Sequence, residues 1–310
     1  LKKRNSLTLI PIMERAKKTN LIIETYTVPK LTVKTRLQDL APGMFTKSPT
    51  KSGLKKAIKK KLVKINGMNA STGTFLIGGE KIDLYQNQQN NTKPSIQIDI
   101  QVIYEDDHLA LVNKPAGITV SGNKKWTLEN ALTSNLKKSN ETDALIRPEP
   151  IHRLDHPTSG VILIGKTSKA VIALNKMFEE RTIEKTYFAV AIGEMETQGT
   201  INSPVDSKPS STDYKVIQTL ASKKLNYLNL LCLTPHSGRK HQLRKHFSEQ
   251  NNPILGDLIY GIEGKILKGN GLYLHAYSLG FIHPITKQKV LYTAPLTKKF
   301  TRLFPDCQNL

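Results

Sequence analysis

The chain has 310 residues, with 46 Lys+Arg against 25 Asp+Glu, a formal charge of +21 and 38% hydrophobic residues. That length admits two domains with a buried core, and no apolar run approaches the roughly 18 residues that cross a bilayer, so a membrane protein is not expected. The two cysteines, Cys232 and Cys307, are too few for a disulfide framework and lack the close Cys or His partners of a structural zinc site, so a reducing, cytoplasmic setting is expected.

The opening LKKRNSLTLIPIM is basic and then apolar, but it runs into Glu14-Arg15-Ala16-Lys17-Lys18 without a small-residue cleavage site and is not read as a signal peptide. Residues 1–34 are left as an unassigned N-terminal extension. Residues 1–100 hold 19 Lys+Arg against 6 Asp+Glu, and residues 101–310 hold 27 against 19. The first third is thus the more basic, which makes nucleic acid the first expected partner and an anionic membrane surface the second. Ser52 caps an expected helix through Lys61, with Leu54, Ala57 and Ile58 on one face and Lys55, Lys56, Lys59 and Lys60 elsewhere. Leu62–Gly67 reads as a strand entering an Asn-Gly turn, and Lys81–Tyr85 as a second strand. Residues 35–85, with KLVKINGMNA and IGGEKIDLY, resemble the small RNA-binding domain named after ribosomal small-subunit protein four. That resemblance implies RNA contact through the helix lysines.

The Gln/Asn-rich residues 86–95 end at a proline-serine pair and mark a linker, taken over 86–97, ahead of a second domain over 98–310. Ile98–Tyr104 alternates as a strand, Glu105–Asp107 turns, and Leu109–Val112 reads as a buried strand stopped by Lys114-Pro115-Ala116-Gly117. Ser168 is the expected cap of a helix through about Arg181, with Ala170, Val171, Leu174, Met177 and Phe178 as a core stripe. Tyr187–Ile192 and Tyr227–Leu233 read as strands, and Arg239–Ser248 as a short basic helix. Strands and helices mix without regular alternation, so the expected class is α+β.

The densest polar run is His152-Arg153-Leu154-Asp155-His156-Pro157-Thr158-Ser159-Gly160, ahead of the apolar strand Val161–Ile164. Ionisable loop residues held by a rigid strand are where catalytic groups tend to lie. Three readings compete there. A metal site on His152 and His156 is opposed by Pro157, which breaks a helix through both, and by the lack of an evident third ligand. A hydrolase nucleophile at Ser159 lacks the G-x-S-x-G elbow. The third is a lone reactive carboxylate, Asp155.

HRLDHPTSGVILIGKT resembles the catalytic motif of the RluA-type pseudouridine synthases, which isomerise uridine in ribosomal or transfer RNA. VIYEDDHLALVNKPAGITV, EKTYFAVAIG, SGRKHQLRKHFSEQNNPILGDLIYG and LYLHAYSLGFIHP are similar to the family's other motifs, in its order, across residues 98–297. Ser237-Gly238-Arg239 stands where the family usually has Thr-Gly-Arg, His236 ahead of it is less usual, and residues 1–30 match nothing.

The resemblance implies a mixed, largely antiparallel sheet with flanking helices and a function on RNA, ribosomal ahead of transfer. Asp155 is its essential carboxylate, Arg244 the partner that keeps a carboxylate ionised and aimed, and Tyr187 a ring beside the base. Leu274 packs near the target base, and Arg153, Arg239 and Lys240 contact RNA. Without that resemblance, Tyr187 and Leu274 would be ordinary core residues. Nothing is oxidised and no group is imported in such an isomerisation, so neither cofactor nor metal is expected, and a monomer is. His152, Thr158 and Ser159 are expected to shape the loop through hydrogen bonds.

Overall fold

The computed structural model describes residues 21–40, 43–46, 48, 51–85, 94–264, 269 and 271–309, apart from the side chains of residues 52, 308 and 309. The chain divides into two compact units, Leu1–Thr92 and Lys93–Leu310.

The first unit runs β1 (Ile22–Thr27), β2 (Thr35–Arg36), α1 (Leu37–Leu40), α2 (Lys51–Lys59), β3 (Val63–Ile65), β4 (Met68–Asn69), β5 (Phe75–Leu76) and β6 (Lys81–Tyr85). Asn66 and Gly67 both take positive φ, 47° and 84°, which is what a two-residue turn between β3 and β4 requires. Leu54 and Ile58 of α2 are buried against Val63, Ile65 and Ile82, while Lys55, Lys56, Lys59 and Lys60 are exposed. The helix starts one residue before the expected cap Ser52, whose side chain lies outside the described residues, and stops at Lys59 because Lys61 turns left-handed at φ 57°. The Lys61 and Leu62 amides then bond back to the Ile58 and Ala57 carbonyls at 2.9 and 3.0 Å, which satisfies the helix end.

Residue 35 is too late a start for this unit. β1 pairs antiparallel with β6, and Val28 just after it is buried in the same core as Leu54 and Ile82, so residues from about 22 belong to it. Residues 1–20 of the expected extension, and 86–93 of the expected linker, lie outside the described residues. The end of that linker belongs to the second unit. Ile96 is buried there, its amide donates to the Asn130 carbonyl and its carbonyl accepts from Ser134 Oγ.

The second unit runs β7 (Gln101–Glu105), β8 (Leu109–Lys114), α3 (Leu128–Asn135), β9 (Ala144–Pro150), β10 (Ser159–Thr167), α4 (Ser168–Glu179), β11 (Glu184–Ile192), β12 (Gln198–Ile201), β13 (Thr212–Ser222), β14 (Asn226–Pro235), α5 (Gln242–Glu249), β15 (Leu274–Ile282), β16 (Lys289–Thr293) and α6 (Lys298–Leu303). Its sheet has the order β12-β13-β14-β11-β15-β10-β8-β7, with β9 also on β10 and β16 also on β15. Every pairing is antiparallel except β10 with β15, so the class is α+β with a mostly antiparallel sheet.

All nine residues of β10 are buried, as expected of a central strand covered on both faces. Helix α4 is capped by Thr167 and not by Ser168: Thr167 Oγ accepts from the Ala170 amide at 3.3 Å. The serine, already helical, is buried instead. The expected basic helix over 239–248 begins at Gln242, because His241 before it is left-handed at φ 58°.

Candidate active site

The loop between β9 and β10 carries Asp155, and the entry to β10 fixes it. Gly160 takes φ 119° where β10 meets β15, and a Cβ there would lie 2.1 Å from the Ala276 carbonyl oxygen, so only glycine permits this approach. Ser159 Oγ lies 2.9 Å from His275 Nδ1, and His275 Nε2 lies 3.2 Å from the Ala294 carbonyl. The Nε2 nitrogen must therefore donate to that carbonyl, which leaves Nδ1 to accept from the serine. This buried strut has no carboxylate behind the histidine and is not a hydrolase triad.

His152 is likewise structural. Its Nε2 accepts from the Leu163 amide at 3.0 Å, its ring stacks on Phe178 at 4.8 Å, and burial pulls it down to about 3, so it stays neutral. His156 is exposed, and among the described residues no three His, Cys, Asp or Glu are grouped to hold a metal. Thr158 is buried, and its hydroxyl has no hydrogen-bond partner among the described residues.

Lys114, read from sequence only as the end of a strand, is a buried cation beneath this loop. Its Nζ donates to the Pro115 and Ile118 carbonyls at 2.9 Å each and reaches the His156 carbonyl at 3.4 Å, while the Gly117 amide donates to that same carbonyl at 2.9 Å. Burial lowers Lys114 to about 8 against the pull of the Asp155 charge. A lysine is rarely buried without a specific role, and here it pins two turns together next to Asp155.

Helix α5 brings the second part of the site. Leu243 and Phe247 pack on Ala189, Ala191 and Leu233 of the sheet, and Leu274 joins the same cluster at the start of β15. That seating leaves Arg244 buried. Its Nε and Nη2 donate to Asp257 Oδ2 and Oδ1, both at 2.7 Å, and its Nη1 lies 3.5 Å from Asp155 Oδ2. Asp257 is fully enclosed and also accepts from the Ile259 and Tyr260 amides at 2.9 and 3.1 Å. Burial by itself would raise Asp257 and lower Arg244. Their mutual bidentate contact outweighs it in both, so Asp257 is held below and Arg244 above its ordinary value.

A histidine faces the other oxygen of Asp155. His241 Nε2 lies 3.7 Å from Asp155 Oδ1, and its Nδ1 is 2.9 Å from the Tyr260 hydroxyl, whose ring also lies 5.0 Å beneath the Arg244 guanidinium. With Tyr260 donating, neutral His241 keeps its ring proton on the nitrogen facing Asp155. Burial lowers His241, opposed by the Asp155 charge and aided by Arg244, Lys240 and Lys245.

Tyr187 completes the group. It pairs with Ala276, the residue that Gly160 abuts, and so lies two strands across from the loop, about 10 Å at ordinary strand spacing. It is half-buried, and burial together with the Asp155 charge raises its hydroxyl above the ordinary value, so it remains protonated.

The structure therefore assembles Asp155, Arg244 and Tyr187 from three elements, and adds His241, Asp257, Tyr260 and Lys114, which the sequence reading had not singled out. Asp257 follows Gly256 after an apolar run, a pattern too common to single it out. Arg153 and Lys240 are exposed. Arg239 lies in the turn before α5, where its Nε donates to the Pro209 carbonyl at 3.3 Å and Gln242 Oε1 accepts its amide and the Ser237 hydroxyl. Leu274 is 3% exposed and underlies α5. Asp155 keeps 22% of its side chain open to solvent, so one side is met by Arg244 and His241 and the other can receive a reacting atom, for attack or for proton transfer.

Residues 108–249 match the family model described as RNA pseudouridylate synthase. The ribosomal large subunit pseudouridine synthase D of Nitrosomonas europaea is 28% identical over 310 residues, covering 92% of this chain and 88% of that protein. An uncharacterized RNA pseudouridine synthase of Bacillus subtilis is 31% identical, covering 75% and 81%, and tRNA pseudouridine synthase C of Haemophilus ducreyi is 33% identical, covering 67% and 95%. The solved structure of human RNA pseudouridylate synthase domain containing 1 shares the fold, with a TM-score of 0.54 and 24% identity over 64% of this chain and 84% of that one. With relatives more than 30% identical that it spans over four-fifths of their length, the chain belongs to the RluA-type family of RNA pseudouridine synthases, which are isomerases.

Proposed function

We propose that this isomerase converts specific uridines of ribosomal RNA, and secondarily of transfer RNA, to pseudouridine, with Asp155 acting on a uridine turned out of the RNA stack. The observation that carries this is the partly open Asp155 carboxylate, met on its inner side by an arginine that Asp257 locks in place. The reaction breaks the bond from uracil N1 to the sugar C1′ and forms the bond from C5 to C1′. The C5 proton leaves and N1 takes one up, so atoms and electrons balance within the nucleotide. A carboxylate supports this by attacking the sugar or base or by taking a proton from the sugar.

Tyr187 lies flat against the displaced uracil, whose unstacking costs a few kcal/mol. Leu274 holds the floor on which that base and helix α5 rest. Arg153, Arg239 and Lys240 contact RNA phosphates around the site. The first unit is an RNA-binding domain of the ribosomal small-subunit protein four type, whose Lys55, Lys56, Lys59 and Lys60 meet the phosphate backbone. The enzyme works as a cytoplasmic monomer, which light scattering of the purified chain checks. The relatives named for ribosomal large subunit RNA support the ordering of substrates.

The test is Asp155→Asn on ribosomal and transfer RNA from cells lacking the gene. Pseudouridine formation is expected to fall by roughly 10⁴-fold or more while RNA binding persists. Turnover by the purified variant near the wild-type rate removes Asp155 from this role.

A further inference from the structure

The chain has one tryptophan, and it is 57% exposed. Trp126 ends an exposed loop, Ser121–Trp126, in which Lys124 and Lys125 are also exposed and, among the described residues, form no ion pair. An exposed Trp just before a helix cap often folds back onto the first turn of the helix. Trp126 stands in that position ahead of the cap Thr127 of α3, yet more than half of its surface stays open.

The loop is nevertheless held firmly. The buried Asn130 side chain donates to the Lys124 and Lys125 carbonyls at 3.3 and 2.8 Å. Thr119 bridges Thr127, and the Leu128 and Glu129 amides bond back to the Thr119 and Val120 carbonyls at 2.9 Å. The ring is thus presented to solvent on a fixed backbone, with the Lys125 ammonium 5.8 Å from it. Further back along the chain, the Gly117 amide bonds to the carbonyl of His156, the residue after Asp155. Counting Cα steps along that path, Trp126 lies at most about 25 Å from Asp155, a span that about seven stacked nucleotides cover at 3.4 Å each.

A fixed, open indole beside two exposed lysines, Lys124 and Lys125, has the chemistry that receives an unpaired base: the ring stacks on its face and the ammonium groups take the flanking phosphates. We infer that Trp126, with Lys124 and Lys125, is a docking platform for an unpaired base of the substrate RNA, outside the pocket of the target uridine. This rests on the RNA-modifying function proposed above. It predicts that the enzyme reads single-stranded RNA flanking its target and gains nothing there from a continuous duplex.

Because Trp126 is the sole tryptophan, its fluorescence reports on this site alone. Titration with a 12-nucleotide oligouridylate is expected to quench it saturably, and an RNA duplex of equal charge is expected to leave it nearly unchanged. Trp126→Ala should raise the Kd for the oligouridylate about 5- to 150-fold, the range of a lost stacking contact, and Trp126→Phe should restore most of it. The exposed ring bears no core load, so both variants are expected to fold, checked by circular dichroism. Equal quenching by duplex, or an unchanged Kd in Trp126→Ala, overturns the platform. If the wild type makes pseudouridine while Trp126 stays unquenched, the platform fails and the proposed function stands. If quenching occurs without any pseudouridine formed, the reverse holds.

Discussion

The cations of helix α2 and the cation of helix α5 are held in opposite ways. Lys55, Lys56, Lys59 and Lys60 stand in solvent on a helix whose apolar face alone is packed. Arg244 is enclosed, with two of its donors spent on Asp257 and one turned to Asp155. An exposed charge acts through salt-screened attraction over roughly a Debye length, about 8–10 Å, and needs no fixed geometry. A buried one acts over a single contact and costs several kcal/mol unless its partners are in place. The difference teaches that a formal charge of +21 is not one property: under the function proposed above, an exposed part gathers a polyanion, while a small enclosed part faces one carboxylate.

Arg244→Ala tests the enclosed side most severely. It leaves the Asp257 carboxylate buried without its bidentate partner, and a loss of about 3–5 kcal/mol in unfolding free energy by urea titration is expected, with turnover abolished. Arg244→Lys should not rescue turnover, because an ammonium cannot hold Asp257 through two parallel bonds and still reach Asp155. Retained stability in Arg244→Ala would mean that this cation is held no more tightly than those of α2.

Lys114 sharpens the contrast within one residue type. Burial takes it from 10.5 to about 8 in the folded state. Between those values the unfolded chain holds more protons than the folded one, so the lysine's contribution to stability rises with pH across that window, by roughly 3 kcal/mol. Urea unfolding of wild type and Lys114→Met at pH 7.5 and 10 should show the wild type gaining on the variant. A constant difference would mark Lys114 as an ordinary lysine.

The smallest effect on stability belongs to α2. Replacing Lys55, Lys56, Lys59 and Lys60 by Gln should change the unfolding free energy by within about 0.5 kcal/mol per site. RNA binding should weaken, and the slope of log Kd against log salt should drop by roughly 0.7–0.9 for each lysine that contacts a phosphate. Turnover at saturating RNA should be nearly intact. Loss of turnover with unchanged binding would break the division between gathering and orienting charge.

Much of the site was legible because chemistry concentrates polar residues in short runs: HRLDHPTSG announces a loop, and the apolar Val161–Ile164 after it announces the buried strand that holds it. The α+β class followed from irregular alternation of elements. What stayed hidden depends on partners distant in sequence. β1 is rich in β-branched and aromatic residues, but it is its pairing with β6, nearly 60 residues on, that makes it part of the first unit. Lys114 looks like a solvent-facing lysine until the turn at 115–118 and the loop at 156 supply carbonyls from both sides. His241 gave no hint of its left-handed backbone, which is why the helix was expected to start at Arg239. Asp257 is one aspartate among many until Arg244 arrives beside it.

The contact of Gly160 with Ala276 has a consequence for the order in which the enzyme is made. Asp155 leaves the ribosome about 120 residues before Ala276, and at ordinary elongation rates of 5–20 residues per second that interval is roughly 6–24 s. Throughout it the strand that seats the loop has no β15 beside it, and for most of it neither Arg244 nor Asp257 exists. The nascent chain therefore completes its first unit well before Arg244, Asp257 and β15 exist to meet Asp155.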